Sequence, residues 1–330
     1  MKMDLLTKQI GAASLVTAML FTGNTCIARF RDSAGAEPPA TVAPAKPTAA
    51  ESPTTEPAPT PEALACAQIG ENGDGRHIFV YDVGAGEMVW SNTDMLDRLY
   101  PASITKLYAS LVGLMYLEPD AVVTAGEELN LVPSDSSRAY ISRGCKITVK
   151  MLVEAMLVPS GSDASYVFAA AAGRAIAGDE NLEGEAAVEA FVEELNRQRA
   201  EMGLQNSHFT NPDGYHHDDH YMCPADVARV AVLALEDPVI AEYAALQQDS
   251  VRFVSGQTIT WYNNNLLMDP TAPCYSVSAV GMKTGYTSRA GNCLLAAFRQ
   301  ADREIIVGIF GSVEKYPRYE TALALFKACV

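Results

Sequence analysis

Pro101-Ala-Ser-Ile-Thr-Lys-Leu-Tyr-Ala-Ser-Leu-Val-Gly-Leu-Met115 is the stretch that decides how the rest of the chain is read. Apolar residues fall at 104, 107, 108, 111, 114 and 115, spaced three and four apart, which predicts a helix with a buried face. Proline suits the start of that helix, because its fixed φ matches the first turn and its missing N–H loses no bond there. Ser103 and Lys106 are three residues apart, so the hydroxyl and the amine share one face, with the amine in reach of the hydroxyl as a base. Developing negative charge at Ser103 is favoured by the helix dipole.

Upstream, His77–Asp82 and Glu87–Trp90 flank Gly84-Ala85-Gly86 and predict a β-hairpin. Downstream, a second helix is expected from Thr148 to about Val158, stopping at Pro159-Ser160-Gly161. A third is expected from near Asp163, and a fourth over about Glu185 to Met202 with Gly203 as its C-cap. Thr258–Trp261, Val280–Thr287, Asn292–Phe298 and Glu304–Phe310 have the character of strands, and a final helix covers about Tyr319 to Ala328. Strands at both ends of one segment with helices between them give an α+β, mixed α/β, architecture in which both chain ends feed one sheet.

The chain has 330 residues, 40 acidic against 24 basic side chains and a net charge of −16. That balance excludes nucleic acid as a partner, since such binding rests on phosphate neutralisation by Lys and Arg. The seven cysteines form no CxxC pair, which argues against a zinc ribbon or a stapled mini-domain; one or two disulfides stay open and unassigned. Residues 1–30 hold Lys2, Lys8 and an apolar run from Ile10 to Phe21, as in an export signal or N-terminal membrane anchor. Gly23-Asn24-Thr25 is a poor lipoprotein box, so Cys26 is an ordinary leader cysteine. Residues 31–65 shift to Pro, Ala, Thr and Glu; eight of the chain's 18 prolines lie there, so an extended disordered linker is expected. Residues 66–330 are expected to fold as the catalytic domain, outside the cytoplasmic membrane, with the membrane met only through the N-terminal segment.

Ser103-Ile-Thr-Lys106, Ser160-Gly-Ser162 and Lys283-Thr-Gly285 occur in that order. An S-x-x-K alone is expected about once by chance in such a chain, so the weight lies in the combination. Together they resemble the penicillin-binding protein and serine β-lactamase superfamily, in which S-x-x-K, S-D-N and K-T-G recur. More narrowly the sequence resembles the low-molecular-mass D-alanyl-D-alanine carboxypeptidases, peptidase family S11. The matching stretches are Pro101–Lys106, Met156–Gly161 with Asp163-Ala164, Phe209-Thr-Asn-Pro-Asp-Gly214, His220-Tyr221 before Asp226, Asn263–Leu267, and Gly281–Thr287 with Ala290-Gly291.

The resemblance implies a DD-peptidase-like fold, an antiparallel sheet of about five strands flanked by helices with a helical subdomain. It implies a serine peptidase that removes the terminal D-Ala from peptidoglycan stem pentapeptides and is acylated by β-lactam antibiotics. Ser103 would be the nucleophile and Lys106 the base, its pKa lowered by desolvation and neighbouring cations. Ser160 would bridge Lys106 and Lys283 and relay the proton. Lys283 and Thr284 would bind the carboxylate side of the substrate, with Arg318 as the guanidinium fork for the free D-Ala carboxylate. The N–H groups of Ser103 and Tyr286 would form the oxyanion hole, and Gly285 would admit the substrate backbone.

Ser162 departs from the family, which carries Asn there; a shorter side chain that cannot donate and accept across the same span predicts slower acylation or altered substrate choice. Relatives often continue into a β-rich domain, whereas this sequence stops at Val330, leaving an N-terminal tether. Two alternatives stand beside the carboxypeptidase. A β-lactamase would need the E-x-x-L-N loop glutamate, but Val192 precedes Leu195-Asn196 in its place; a catalytically weak penicillin-binding or wall-binding module is supported only by Ser162. His216-His217-Asp218-Asp219-His220 offers metal-ligand types, but consecutive residues after a turn rarely converge on one ion. Asp179, Glu180, Glu183 and Glu185 read as a solvated loop. No metal and no cofactor are expected.

Overall fold

The computed structural model describes residues 59–330; the expected leader and most of the expected linker lie outside the described residues. The described part starts with a helix, α1 (Pro61–Gly70), whose first five residues fall in the stretch whose composition reads as linker. Thr60 caps it by accepting a hydrogen bond from Ala63 N at 3.2 Å, and Pro61 occupies the first turn. The difference from expectation has a packing cause. Cys66 and Gly70 are buried, and a Cβ on Gly70 would lie 1.9 Å from the Trp90 ring.

Strands β1 (His77–Asp82) and β2 (Glu87–Ser91) form the expected hairpin. Strands β3 (Val122–Thr124) and β4 (Lys146–Thr148) make a small separate ribbon, as do β5 (Gln248–Arg252) and β6 (Thr258–Tyr262). The main sheet is completed by β7 (Ala279–Thr287), β8 (Gly291–Gln300) and β9 (Arg303–Ser312), in the order β2-β1-β9-β8-β7, all antiparallel. Both chain ends thus build one five-stranded sheet. The strand at Thr258–Trp261 does not join it, because Trp261 is buried elsewhere, its indole N–H donating to Ala139 O at 3.0 Å.

Both faces of the sheet are covered, so its inner strands are apolar without a gap; Cys293–Phe298 is buried throughout. Ile78, Val80, Leu294, Ala296, Phe298, Ile305, Val307 and Ile309 face helix α8 (Pro317–Ala328) through Tyr319 and Phe326. The alternate residues, Phe79, Leu295, Ala297, Ile306 and Phe310, belong to the core shared with the helical insert. That insert comprises α2 (Thr105–Leu114), α3 (Val149–Leu157), α4 (Ser162–Ala177), α5 (Gly184–Glu201), α6 (Pro224–Glu236) and α7 (Pro238–Ala244).

Helix α2 is more buried than its stripe predicts. Thr105 through Ser110 are all inaccessible, Ser110 Oγ donates back to Lys106 O at 2.7 Å, and a Cβ on Gly113 would lie 2.1 Å from the Phe168 ring. The helix lies within the core, so the turn of Ser103 that leads into it is firmly held.

Candidate active site

Ser103 lies in a 3-10 turn, Ala102–Ile104, that runs directly into α2. Lys106 Nζ donates to Ser103 Oγ at 2.8 Å and to Asp213 O at 2.9 Å. Its side chain is fully buried, which brings its pKa down to about 8; Asp213 and Asp163 pull the other way. The expected cationic neighbours therefore are not what lowers Lys106: removal from water is. The cationic effect falls instead on Lys283, which is also fully buried and held well below the ordinary lysine range by burial, then Lys106, then Arg318.

Ser160 sits between α3 and α4 in the left-handed region, φ +65°. Lys283 Nζ donates to Ser160 Oγ and to Thr284 O, each at 2.9 Å. Ser160 is thus bonded to Lys283, whereas the second bond of Lys106 goes to the Asp213 carbonyl rather than to Ser160, so the expected bridge is half made. Asp163 anchors this corner: its carboxylate accepts from Ala139 N at 2.8 Å and Ile141 N at 2.9 Å, and Ser162 N donates to Ser137 O at 2.9 Å. Ser162 opens α4 and lines the same cleft as Ser103 and Ser160.

Strand β7 forms the opposite wall. A Cβ on Gly285 would lie 3.0 Å from Ala102 Cβ and 3.1 Å from both Pro101 O and Ser103 N. The glycine thus lets the turn that carries Ser103 approach the strand closely, while the residue still lines the cleft. Thr284, Gly285 and Tyr286 line the cleft, the Tyr286 side chain largely in solvent.

Arg318 stands in the first turn of α8, not before the helix as expected. It is 3% exposed; its Nη2 donates to Tyr319 Oη at 3.1 Å, and Tyr319 Oη donates on to Asn264 O at 3.2 Å. Its Nε and Nη1 are buried without a hydrogen-bond partner. A buried guanidinium with unused donors on a cleft wall is a receptor for a planar anion.

The cleft has a volume of about 810 Å³ and unites Ser103, Ser160, Ser162, Thr284, Gly285, Tyr286 and Arg318; Lys106 and Lys283 lie beneath it. Asp135, Ser136, Ser137, Tyr215, His216 and Lys315 extend it. Backbone strain concentrates here. Ala102 (φ +48°) and Met282 (φ +91°) immediately precede Ser103 and Lys283, and Ser160 is itself strained. Such conformations cost of order 1–3 kcal/mol each and persist where surroundings over-determine them.

The Asn211–Gly214 turn has a part in the site that its sequence did not reveal. Gly214 has φ +82°, and a Cβ there would meet Ala102 O at 1.8 Å, so only glycine brings Asp213 O onto Lys106. Gly214 N donates to Asn211 Oδ1 at 2.8 Å. Of the tempting histidine run, His220 is buried, its pKa brought down to about 3 by burial; Thr210 N donates to its Nδ1 at 3.2 Å, leaving Nε2–H for Thr105 Oγ1 at 2.9 Å. It is a neutral tie between this turn and α2. Phe209–Gly214 and His220-Tyr221 stand in the sequence among the stretches that carry the resemblance, but neither reveals these contacts. Asp179, Glu180, Glu183 and Glu185 are exposed, Glu185 on the first turn of α5.

The sequence is similar to those of several known proteins. D-alanyl-D-alanine carboxypeptidase DacF of Bacillus subtilis (strain 168) is 28% identical over 227 residues, 67% of this chain and 53% of the relative. DacA of Haemophilus influenzae is 29% identical over 226 residues, 66% of this chain and 52% of the relative. The chain thus spans about half the length of these two. The D-alanyl-D-alanine carboxypeptidase of Streptomyces sp. (strain K15) is 29% identical over 224 residues, 65% of this chain and 73% of the relative. The crystal structure of the Streptomyces K15 DD-transpeptidase superposes with a TM-score of 0.69 at 24% identity, over 77% of this chain and 96% of that one, a likeness of fold. The family pattern described as D-alanyl-D-alanine carboxypeptidase, peptidase S11, matches residues 69–313, which takes in all three short motifs, and to that family this chain belongs.

Proposed function

We propose that the protein is a serine D-Ala-D-Ala carboxypeptidase that removes the terminal D-Ala from peptidoglycan stem pentapeptides through an acyl-enzyme on Ser103. The observation that carries this reading is the pairing of two buried lysines with two serines at the foot of one cleft, beneath a guanidinium with free donors. Lys106, neutral above about pH 8, takes the Ser103 proton as Oγ attacks the penultimate carbonyl. The N–H groups of Ser103 and Tyr286 receive the oxyanion, a contribution for which losing one donor costs about 3 kcal/mol. Ser160, held by Lys283, passes a proton to the departing D-Ala amine. Arg318, Lys283 and Thr284 bind the carboxylate that distinguishes this substrate from an internal peptide bond, and Ser162 borders the same subsite. Water then releases the shortened stem.

β-Lactams, whose carboxylate and strained amide present the same groups, acylate Ser103 in this reading. The leader (1–30) directs or anchors the chain, the linker spaces it, and the folded part works outside the cytoplasmic membrane. Among the described residues no helix is long and apolar enough to cross a membrane. Release of D-Ala from diacetyl-lysyl-D-Ala-D-Ala, abolished by Ser103→Ala, is the expected result. No release together with a stable penicillin adduct would instead favour the weak binding module, and rapid penicillin turnover the lactamase.

A further inference from the structure

Six cysteines lie among the described residues, all buried, and none is near the cleft chemistry except Cys293 on β8. Most have partners other than sulfur. Cys145 Sγ accepts from Gln257 Nε2 at 3.4 Å, and Cys293 Sγ lies 3.7 Å from Ala290 O. Among the described residues one sulfur–sulfur contact stands out: Cys66 Sγ and Cys329 Sγ are 3.6 Å apart, both essentially inaccessible, 263 residues apart in the chain. Cys66 lies in α1 and Cys329 caps the C-terminal end of α8, two helices that share the core with Tyr319 and Phe326. The same corner is tied by Arg303, which reaches Glu62 at 3.6 Å and Asp82 at 2.7 Å.

We propose that Cys66 and Cys329 are a disulfide-forming pair that clasps α1, the helix receiving the N-terminal segment, to the end of α8. The geometry is half of the case. Thiols 3.6 Å apart on two packed helices need only side-chain adjustment to reach the roughly 2.05 Å of an S–S bond. The location is the other half, and here the inference rests on the extracytoplasmic reading: disulfides persist in oxidising compartments. In the reduced pair either thiol can donate to the other across the contact. Both are buried once α1 is packed on α8, so oxidation takes place before that docking: the thiolate of one cysteine displaces one sulfur of the disulfide of a thiol oxidoreductase or a small-molecule disulfide, forming a mixed disulfide. The other cysteine then attacks the first cysteine's sulfur and expels the other half. The two cysteines lose two protons and two electrons, and the oxidant's disulfide is reduced to two thiols. Because the closed loop is so long, the constraint on the unfolded chain is near the top of the usual range.

The test uses the full chain, unfolded and reduced, then refolded in a glutathione redox buffer at oxidising poise. Thiols are counted in denaturant and linked tryptic peptides identified by mass spectrometry. Two of the chain's seven thiols should disappear, in a linked peptide containing Cys66 and Cys329. Reduction should lower the melting temperature by roughly 5 °C or more without changing D-Ala release, and Cys329→Ala should abolish that difference. Should that variant fail to fold, the linked peptide in the unsubstituted protein decides. Seven free thiols after oxidative refolding, or a crosslink between other cysteines, would overturn the proposal. Pairing in the refolding assay combined with free thiols in protein isolated from cells would uphold the clasp and overturn the extracytoplasmic reading instead.

Discussion

Replacing Arg318 by methionine should make the empty protein more stable and a worse enzyme. The guanidinium is 3% exposed, two of its nitrogens have no hydrogen-bond partner, and it sits in the first turn of α8, the positive end of a helix dipole. Lys283 lies close enough for Arg318 to help depress its pKa, after burial and Lys106. Each unmade bond of a buried polar group costs about 1–3 kcal/mol, and a cation at a helix N-terminus costs about 0.3–1 kcal/mol more. Methionine keeps the stem's packing and removes these penalties, so unfolding free energy should rise by about 1–3 kcal/mol after allowance for the lost bond to Tyr319. With substrate bound the balance reverses. A charge-assisted hydrogen bond is worth about 1.5–3 kcal/mol, so kcat/KM for a D-Ala-D-Ala peptide should fall roughly 10- to 100-fold. Denaturant unfolding and D-Ala release are measured on the same preparations, with the C-terminal amide of the peptide as control. The unsubstituted protein should discriminate strongly against the amide and Arg318→Met should not. A variant that is less stable by more than 1 kcal/mol, or an unsubstituted enzyme indifferent to the amide, would refute the assignment of those two free donors to the substrate.

The rate of Ser103 acylation by a penicillin should rise with pH and level off above a limb near 8, the pKa of buried Lys106; a flat profile from pH 6 to 9 would contradict its role as base. Since that pKa is depressed from 10.5 on folding, the stability from this group is fully present above the unfolded value and is lost as pH falls through about 8. Glu154 runs the other way. Buried on α3 beside Asp249 and Glu242, with one carboxylate oxygen unpartnered, its pKa is raised to about 8, so its stability contribution is present below the unfolded pKa and is lost as pH rises through about 8. Glu154→Gln should therefore stabilise the protein by roughly 1–2 kcal/mol at pH 9 and little at pH 5, by chemical denaturation at both. Gly214→Ala, with φ +82° and a Cβ 1.8 Å from Ala102 O, should cost about 3 kcal/mol and slow acylation, because Asp213 O can no longer hold Lys106; unchanged melting would refute the cradle. Ser162→Asn should speed acylation or shift substrate preference, and equal rates across a peptide panel would show that Ser162 is a neutral replacement.

Much of this protein follows from local pattern. Apolar spacing at 104–115 and 149–157 and the gapless run at 293–298 specify helices and a buried strand whatever lies around them, because period and burial are properties of a few neighbouring residues. The three short motifs single out the serines and lysines that the fold brings to one cleft. Other features were silent for definite reasons. α1 shares the composition of the linker and is told apart only by its Thr60 cap and by Trp90, a residue distant in sequence. Arg318's two empty donors, the Asp213 carbonyl on Lys106 and the close approach of the Ser103 turn to Gly285 are meetings between segments far apart in the chain. Lys106 shows the divide most clearly: its type and its spacing from Ser103 are in the sequence, yet its lowered pKa comes from exclusion of water by a core to which all parts of the fold contribute. Desolvation is a property of the whole packed molecule, so local sequence sets an amine beside a hydroxyl and tertiary structure alone decides that the amine can be neutral near pH 8.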